Sequence, residues 1–311
     1  MRKINQLDLF SGIGGFHLGF EKAGYKVNSY FSEVDKHAIA VYKHKFKDSE
    51  YVGSVTDVRG TDLPSIDLIT FGSPCQDFSL AGKRKGMEGE RSSLILEAIR
   101  LIGECRPRVF IWENVKGTFS SNSGEDFAAI LQAFADIGGY RLEWQLLNTS
   151  WFLPQNRERI YLVGYSTNTK RNWRGVFPIG EGVGENTVQP KLKFIGAVSD
   201  SKWLDNGKNL SRNFSQGNRV YSDEGIHPAL SSQMGGKAKG GGLIQTPYRI
   251  RRLTPIECER LQGFPDNHTE YGNYDGEVKK MSNTQRYKQC GNAVTTDVVQ
   301  AIAEKIKPLF K

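Results

Sequence analysis

The sequence predicts an α/β fold: a mixed, mostly parallel sheet with helices on both faces, joined to a small loop-rich domain. Three observations carry this expectation. Strand-like and helix-like patterns alternate through residues 1–165, as parallel strands with helical crossovers require. Two late strand patterns, 140–147 and 159–165, have no helical pattern between them, which implies an antiparallel edge. Residues 166–250 are rich in Gly, Asn and Ser and lose sustained periodicity, as loop-rich or partly disordered inserts do. The expected units are 1–165, 166–250 and a segment 251–311 that returns to the first.

Leu7-Asp8-Leu9-Phe10 reads as the first strand, and Gly12-Ile13-Gly14-Gly15 as a turn. Phe16, Phe20 and Ala23 stand at helical spacing, residues 27–31 form a second strand, and Ala38, Tyr42 and Phe46 mark a helix over 35–46. The apolar run 66–71 ends in Gly72-Ser73-Pro74, a buried strand opening abruptly into a loop. A helix over 92–105, a strand over 108–112 ending at Glu113-Asn114, and a helix over 126–137 follow. Thr254-Pro255-Ile256-Glu257 is a capping box with Pro at the first helical position. Val294, Val298, Ile302 and Ile306 give a last helix over 294–309 one apolar face.

At 311 residues the chain is long enough for two lobes. Its 38% hydrophobic and 24% charged content is that of a soluble globular protein, and no stretch approaches the ~18 apolar residues of a membrane span. The first residues run into a strand and not into a leader. Cys75, Cys105, Cys258 and Cys290 lie far apart without CxxC spacing. That argues against a zinc site or a disulfide framework and for the reducing cytoplasm. Residues 166–255 hold 14 Lys/Arg against 6 Asp/Glu, while the whole chain holds 42 against 34. The entire +8 therefore sits in one segment, which suits a polyanionic partner or, equally, a solvated basic surface.

The chemistry-bearing residues cluster at predicted strand ends, where open α/β sheets place their ligands. Cys75 follows the 66–71 strand. A thiol is a strong carbon nucleophile once ionised, and Lys83, Arg84, Lys85 and Arg91 in the next loop favour the thiolate. The plain alternative for a lone cysteine is a small buried hydrophobe. The Gly12–Gly15 turn opens a helix, and Glu33 ends the second strand. That is about the ~20-residue spacing at which an acid binds a ribose diol. His17 stands where a diphosphate-binding GxGxxG would need glycine, so a nucleoside without a diphosphate fits better. Glu113 can protonate or hydrogen-bond a heterocycle nitrogen. Arg157 and Arg159, two apart in an extended segment, point the same way and can form an anion or base-edge site. A surface salt-bridge cluster is the alternative.

Together these pieces resemble the DNA (cytosine-5) methyltransferases that use S-adenosylmethionine. The likeness runs through Asp8-Leu9-Phe10-Ser11-Gly12-Ile13-Gly14-Gly15-Phe16, Glu33, Gly72-Ser73-Pro74-Cys75-Gln76-Asp77-Phe78-Ser79, Arg91 and Glu113-Asn114-Val115. It continues through Gln155-Asn156-Arg157-Glu158-Arg159, Arg252-Leu253-Thr254-Pro255, Gly263-Phe264-Pro265 and Gln289-Cys290-Gly291-Asn292-Ala293-Val294, covering the chain except about 166–250. The resemblance implies an S-adenosylmethionine-dependent methyltransferase fold and a catalytic set of Cys75, Gln76, Glu113, Arg157 and Arg159. The Cys75 thiolate would add to C6 of a flipped-out cytosine, Glu113 would hold N3, and Arg159 the O2 edge, with Arg157 supporting the same site.

It also implies a cofactor wall. Phe10 would pack on adenine, Gly12, Gly14 and Gly15 would line the methionine side, and Glu33 would take the ribose hydroxyls. Val34, Ser54, Pro74, Leu94 and Asn292 complete it. Ser54 departs from the family, which usually has Asp there, and Val34 stands where a larger apolar side chain is common. Residues 166–250 fall where the family places target recognition. Candidate DNA contacts are Ser79, Lys83, Arg84 and Arg91 in the loop, and Arg219, Gln233, Lys237 and Lys239 in the basic segment. The implied partner is double-stranded DNA, met by a monomer, with a separately acting restriction endonuclease. A tRNA-modifying relative, an inactive nucleic-acid-binding scaffold and a dinucleotide-dependent oxidoreductase are the alternatives weighed.

Overall fold

The structure, a computed structural model, describes residues 2–73, 94–168, 175–180, 193–199, 202–205, 219–232, 243–247 and 249–310. The first unit contains β1 (Arg2–Leu9), α1 (Gly15–Lys22), β2 (Tyr25–Ser32), α2 (Lys36–Lys45), β3 (Glu50–Tyr51), β4 (Leu68–Gly72) and α3 (Leu94–Cys105). It continues with β5 (Val109–Val115), α4 (Gly117–Ser120), α5 (Glu125–Asp136), β6 (Tyr140–Asn148), β7 (Gln155–Asn156) and β8 (Glu158–Ser166). The second carries β9 (Phe194–Ser199), β10 (Lys202–Asp205), β11 (Arg219–Ser222), β12 (His227–Pro228), β13 (Leu243–Gln245) and β14 (Ile250–Arg251). The last holds α6 (Pro255–Leu261), β15 (Tyr271–Tyr274), β16 (Glu277–Lys280), α7 (Asn283–Asn292) and α8 (Thr296–Ile306).

Seven strands form the main sheet in the order β3-β2-β1-β4-β5-β8-β6. The pairs from β3 to β5 are parallel, and β8 runs antiparallel to both β5 and β6. The late pair therefore makes the expected antiparallel edge, with β8 on its inner side and β6 outermost. Burial explains the order: Ile160 to Tyr165 of β8 are buried without a break, whereas β6 is largely half-exposed. A strand buried on both faces belongs inside a sheet, and a half-exposed one at its rim.

Side chains alternate across the sheet. On one face Ile4, Leu68, Ile111, Tyr161 and Val163 meet Phe16 and Phe20 of α1 and Val298, Ile302 and Ile306 of α8. On the other, Leu7, Leu9, Ile69, Phe71, Phe110 and Trp112 meet Ile95 and Ile102 of α3 and Ile130 and Phe134 of α5. Helices on both faces leave the strands' carboxyl ends as the open edge.

Residues 194–251 are not merely loops. The described strands there form a five-stranded sheet, β10-β9-β11-β13-β14, each too short to produce a readable period. A small core of Leu230, Ile244, Leu253, Cys258, Leu261 and Cys290 joins this region to α6 and α7. Burial pushes the thiols of Cys258 and Cys290 up and that of Cys105 to about 11, so all three serve as packing groups. The Thr254–Glu257 capping box forms as expected. The last helix starts two residues late, at Thr296 behind Thr295. No described helix is long and apolar enough to cross a membrane.

Candidate active site

At the carboxyl edge, Gly72 of β4 lies in register with Glu113 of β5. A Cβ on Gly72 would stand 3.1 Å from Glu113 Oε2, so glycine clears space for the carboxylate. Glu113 is 9% exposed. Its Oε1 lies 3.1 Å from Arg159 Nε on β8, yet accepts no hydrogen bond among the described residues. The pair is charge-matched but not saturated. Arg159 Nη1 donates to the Glu158 carbonyl at 2.8 Å, which fixes the guanidinium. Buried Tyr161, opposite Glu113 in register, has its phenol pushed up by desolvation and by the Glu113 charge.

On the other face of β5, Trp112 Nε1 and Asn114 Nδ2 donate to Ser73 Oγ at 3.0 and 3.3 Å. They hold the chain where it leaves the sheet. Pro74, Cys75, Gln76, Ser79, Lys83, Arg84 and Arg91 come next and lie outside the described residues, as do Gln233, Lys237 and Lys239.

The glycine turn forms the other half of the site. Phe10 has φ +51°, a left-handed backbone uncommon for a bulky residue and a marker of functional constraint. Gly12 has φ +54° and open space where a Cβ would point, whereas Gly14 and Gly15 face Phe46 and Val294. At Gly12 that direction is open; at the other two the missing Cβ permits close packing around the start of α1.

Glu33 Oε2 accepts from the Gly12 amide at 2.9 Å, and Oε1 from the amides of Val34 and Asp35 at 2.8 and 2.9 Å. Oε1 is filled by its two amides, while Oε2 keeps an acceptor site for a hydroxyl. Val34 is 76% exposed, an apolar side chain left facing outward beside that carboxylate. Ser11 Oγ is buried with no partner among the described residues. An orphaned hydroxyl, an open glycine, an anchored acid and a bare apolar side chain fit a nucleoside ligand with a ribose diol. Ser54 sits after Gly53 (φ +90°), its hydroxyl 2.9 Å from Thr56 Oγ1. Leu94 opens α3 half-buried against the core, and exposed Asn292 ends α7.

Arg157 and Arg159 have separate surroundings. Arg157 is buried, and its guanidinium donates to the carbonyls of Leu230, Gly291 and Ala293 at 3.2, 3.3 and 2.9 Å. It clamps three segments together. Gln155 does the same, donating to Leu261 O at 2.8 Å and accepting from the Leu230 amide at 2.9 Å. Arg219, at the start of β11, is half-buried. Sequence reasoning assigned no role to Gln289, whose buried amide has neither atom partnered among the described residues. It lies one turn before Asn292, and that spacing was the available signal.

Solved structures share the whole architecture. The Dnmt2 methyltransferase of S. pombe superimposes with a TM-score of 0.73 at 19% identity, covering 98% of this chain and 99% of that one. A putative DNA modification methyltransferase encoded within a prophage of E. coli gives 0.65 at 22% identity, over 98% and 99%. This is the S-adenosylmethionine-dependent methyltransferase fold.

The family model described as C-5 cytosine-specific DNA methylase matches residues 4–231 and 201–308. The chain belongs to that family and is a DNA cytosine-5 methyltransferase. It is 32% identical to the Type II methyltransferase M.Bsp6I of Bacillus sp. (strain RFL6), over 96% of both chains. It is 32% identical to the Type II methyltransferase M.HhaI of Haemophilus parahaemolyticus, over 96% of this chain and 93% of that one.

Proposed function

We propose that this chain methylates C5 of a cytosine within a specific duplex sequence, after flipping the base out of the stack, through a transient bond between Cys75 and C6. The observation that carries this reading is the largely buried Glu113–Arg159 pair at 3.1 Å, set against Gly72 where β4 ends. Position 75 follows Ser73 by two residues, at most about 7 Å of chain.

The Cys75 thiolate forms a bond to C6, the 5,6 double bond opens, and its electron pair passes to C5. Glu113 hydrogen-bonds or protonates N3, which relieves the charge that builds on the ring. Arg159 faces the O2 edge and keeps Glu113 oriented. C5 then bonds the incoming methyl group. Loss of the C5 proton to a base re-forms the double bond and expels the thiolate. S-adenosylmethionine would supply the methyl from its sulfonium, whose sulfur would keep the electrons of the broken S–CH3 bond and leave as a neutral thioether. Glu33 would hold its ribose, Phe10 and Val34 its adenine, and Gly12 leaves its approach open.

Arg157 supports the site at one remove, by fixing the segments around it. The basic 166–250 unit, Arg219 included, suits phosphate contact and base reading. The Type II relatives support a modification role for one chain beside a separately acting endonuclease.

A duplex carrying 5-fluorocytosine at the target tests the chemistry, because fluorine cannot leave as the proton does. With donor present, the wild-type chain is expected to form an adduct that peptide mass spectrometry places on Cys75, and Cys75→Ala none. No adduct on the correct duplex, or continued turnover by Cys75→Ala, overturns the proposal. Sequencing of methylated positions in DNA from cells expressing the protein identifies that duplex.

A further inference from the structure

The segment after residue 251 brackets the cofactor loops from outside, and two of its side chains reach them directly. His268 is buried, and its Nε2 lies 2.9 Å from the carbonyl of Ile13, within the glycine turn. A carbonyl only accepts, so Nε2 carries the proton and donates. Desolvation lowers the imidazole to about 4, which keeps the ring neutral. Its ring lies tilted against Phe264 at a centroid distance of 4.5 Å.

The backbone on both sides of His268 is held as well. Fully buried Glu259 accepts from the amides of Asn267 and Thr269 at 2.8 Å each, and from Arg286 Nη2 of α7 at 3.0 Å. The second contact is from Lys288 Nζ of α7 to Asp35 Oδ2 at 2.6 Å. Asp35 is two residues past Glu33 and caps α2 through the His37 amide at 2.9 Å. Glu33 itself joins the two loops through Gly12.

We propose that His268 and Lys288 are positioning residues for cofactor binding: His268 sets the backbone of the glycine turn, and Lys288 sets the loop that aims Glu33. Neither touches the ligand. Each removes freedom that the loops would otherwise lose on binding, and such preorganisation appears as affinity. This rests on the proposed function, and binding measurements separate the two.

The test is calorimetric titration of S-adenosylmethionine and of its demethylated product into wild type, His268→Phe, His268→Gln and Lys288→Met. Far-UV circular dichroism and DNA binding without cofactor serve as fold controls. Loss of one buried donor predicts about tenfold weaker binding for His268→Phe. His268→Gln retains an N–H at the same reach and is expected within about threefold of wild type. Lys288→Met is expected to weaken binding about threefold or more, since its ion pair is half-exposed.

In turnover, KM for the cofactor is expected to rise with kcat nearly unchanged. A folded His268→Phe that binds as wild type does, or a His268→Gln that loses as much as His268→Phe, overturns the proposal for His268. Should His268→Phe fail to fold, the Gln and Met variants decide, and unchanged affinity in Lys288→Met overturns the second contact. A wild-type chain that binds no cofactor refutes the proposed function instead.

Discussion

The backbone amide of Gly12 donates to Glu33 Oε2 over 2.9 Å, so the turn after β1 and the loop after β2 are tied into one unit at the candidate cofactor site. The same carboxylate takes two further amides, from Val34 and Asp35. Glu33→Ala releases all three donors and removes the acceptor proposed for the ribose. Cofactor affinity is expected to fall tenfold or more, at about 1.4 kcal/mol per factor of ten, while DNA binding persists. Calorimetric titration measures the first, and electrophoretic mobility shift the second. Equal cofactor affinity in the variant would confine Glu33 to holding the loop.

Glu113→Gln keeps the shape of the side chain and removes the charge opposite Arg159. A group that handles a proton as charge builds contributes typically about 10²–10⁴ in rate, so single-turnover methylation is expected to slow by about 10² or more. Cofactor affinity should hold within about threefold, since Glu33 follows a different strand, β2. Loss of both to the same degree would assign Glu113 a structural part.

Asp8 is fully buried between Thr70 and Tyr42, which donate to it at 2.7 and 3.3 Å. Desolvation outweighs those hydrogen bonds and raises its carboxyl to about 8. The folded chain then holds a proton that the unfolded chain releases near about pH 4. This contribution to stability is complete below that value. It declines as pH rises toward 8, by about 1.4 kcal/mol per pH unit, and levels beyond. Asp8→Asn is a neutral near-isostere. In urea unfolding from pH 5 to 8, wild type is expected to lose stability relative to Asp8→Asn, and parallel curves would refute the assignment.

The sequence carried the elements whose residues bury apolar side chains at regular spacing. β1, β4, β5, α3 and α5 are of that kind, and the candidate-site residues at their ends were legible with them. α7 was not, because it buries Arg286, Gln289, Cys290 and Gly291. A helix whose inner face is polar has no hydrophobic period to read; Arg286 is inside because Glu259 pairs with it. The place of β8 between β5 and β6 depends on pairing across the sheet, which local pattern does not encode. The parting of Arg157 from Arg159 has the same origin. Alternation puts both on one face, but the carbonyls that hold Arg157 come from residues 73 to 136 positions away. His268 and Lys288 reach their partners over 255 and 253 positions, beyond any motif.

Gly291 marks where the target-recognition candidate rests on the catalytic body. A Cβ there would collide with the backbone of Ser231 and Ser232, and Arg157 ties the same two segments through Leu230 O and Gly291 O. Backbone cannot swing aside as a side-chain tip can, so Gly291→Ala must push α7 and residues 231–232 apart. Overpacking of this kind costs about 1–3 kcal/mol, and the rigid neighbour places it toward the upper end. The displaced segment carries the proposed base readers while Glu113 and Arg159 stay on β5 and β8. Methylation of the preferred sequence is therefore expected to fall by about tenfold relative to variant sites, read by sequencing methylated positions on one plasmid. A Gly291→Ala chain with unchanged melting temperature and unchanged site choice would mean that this contact does not couple recognition to catalysis.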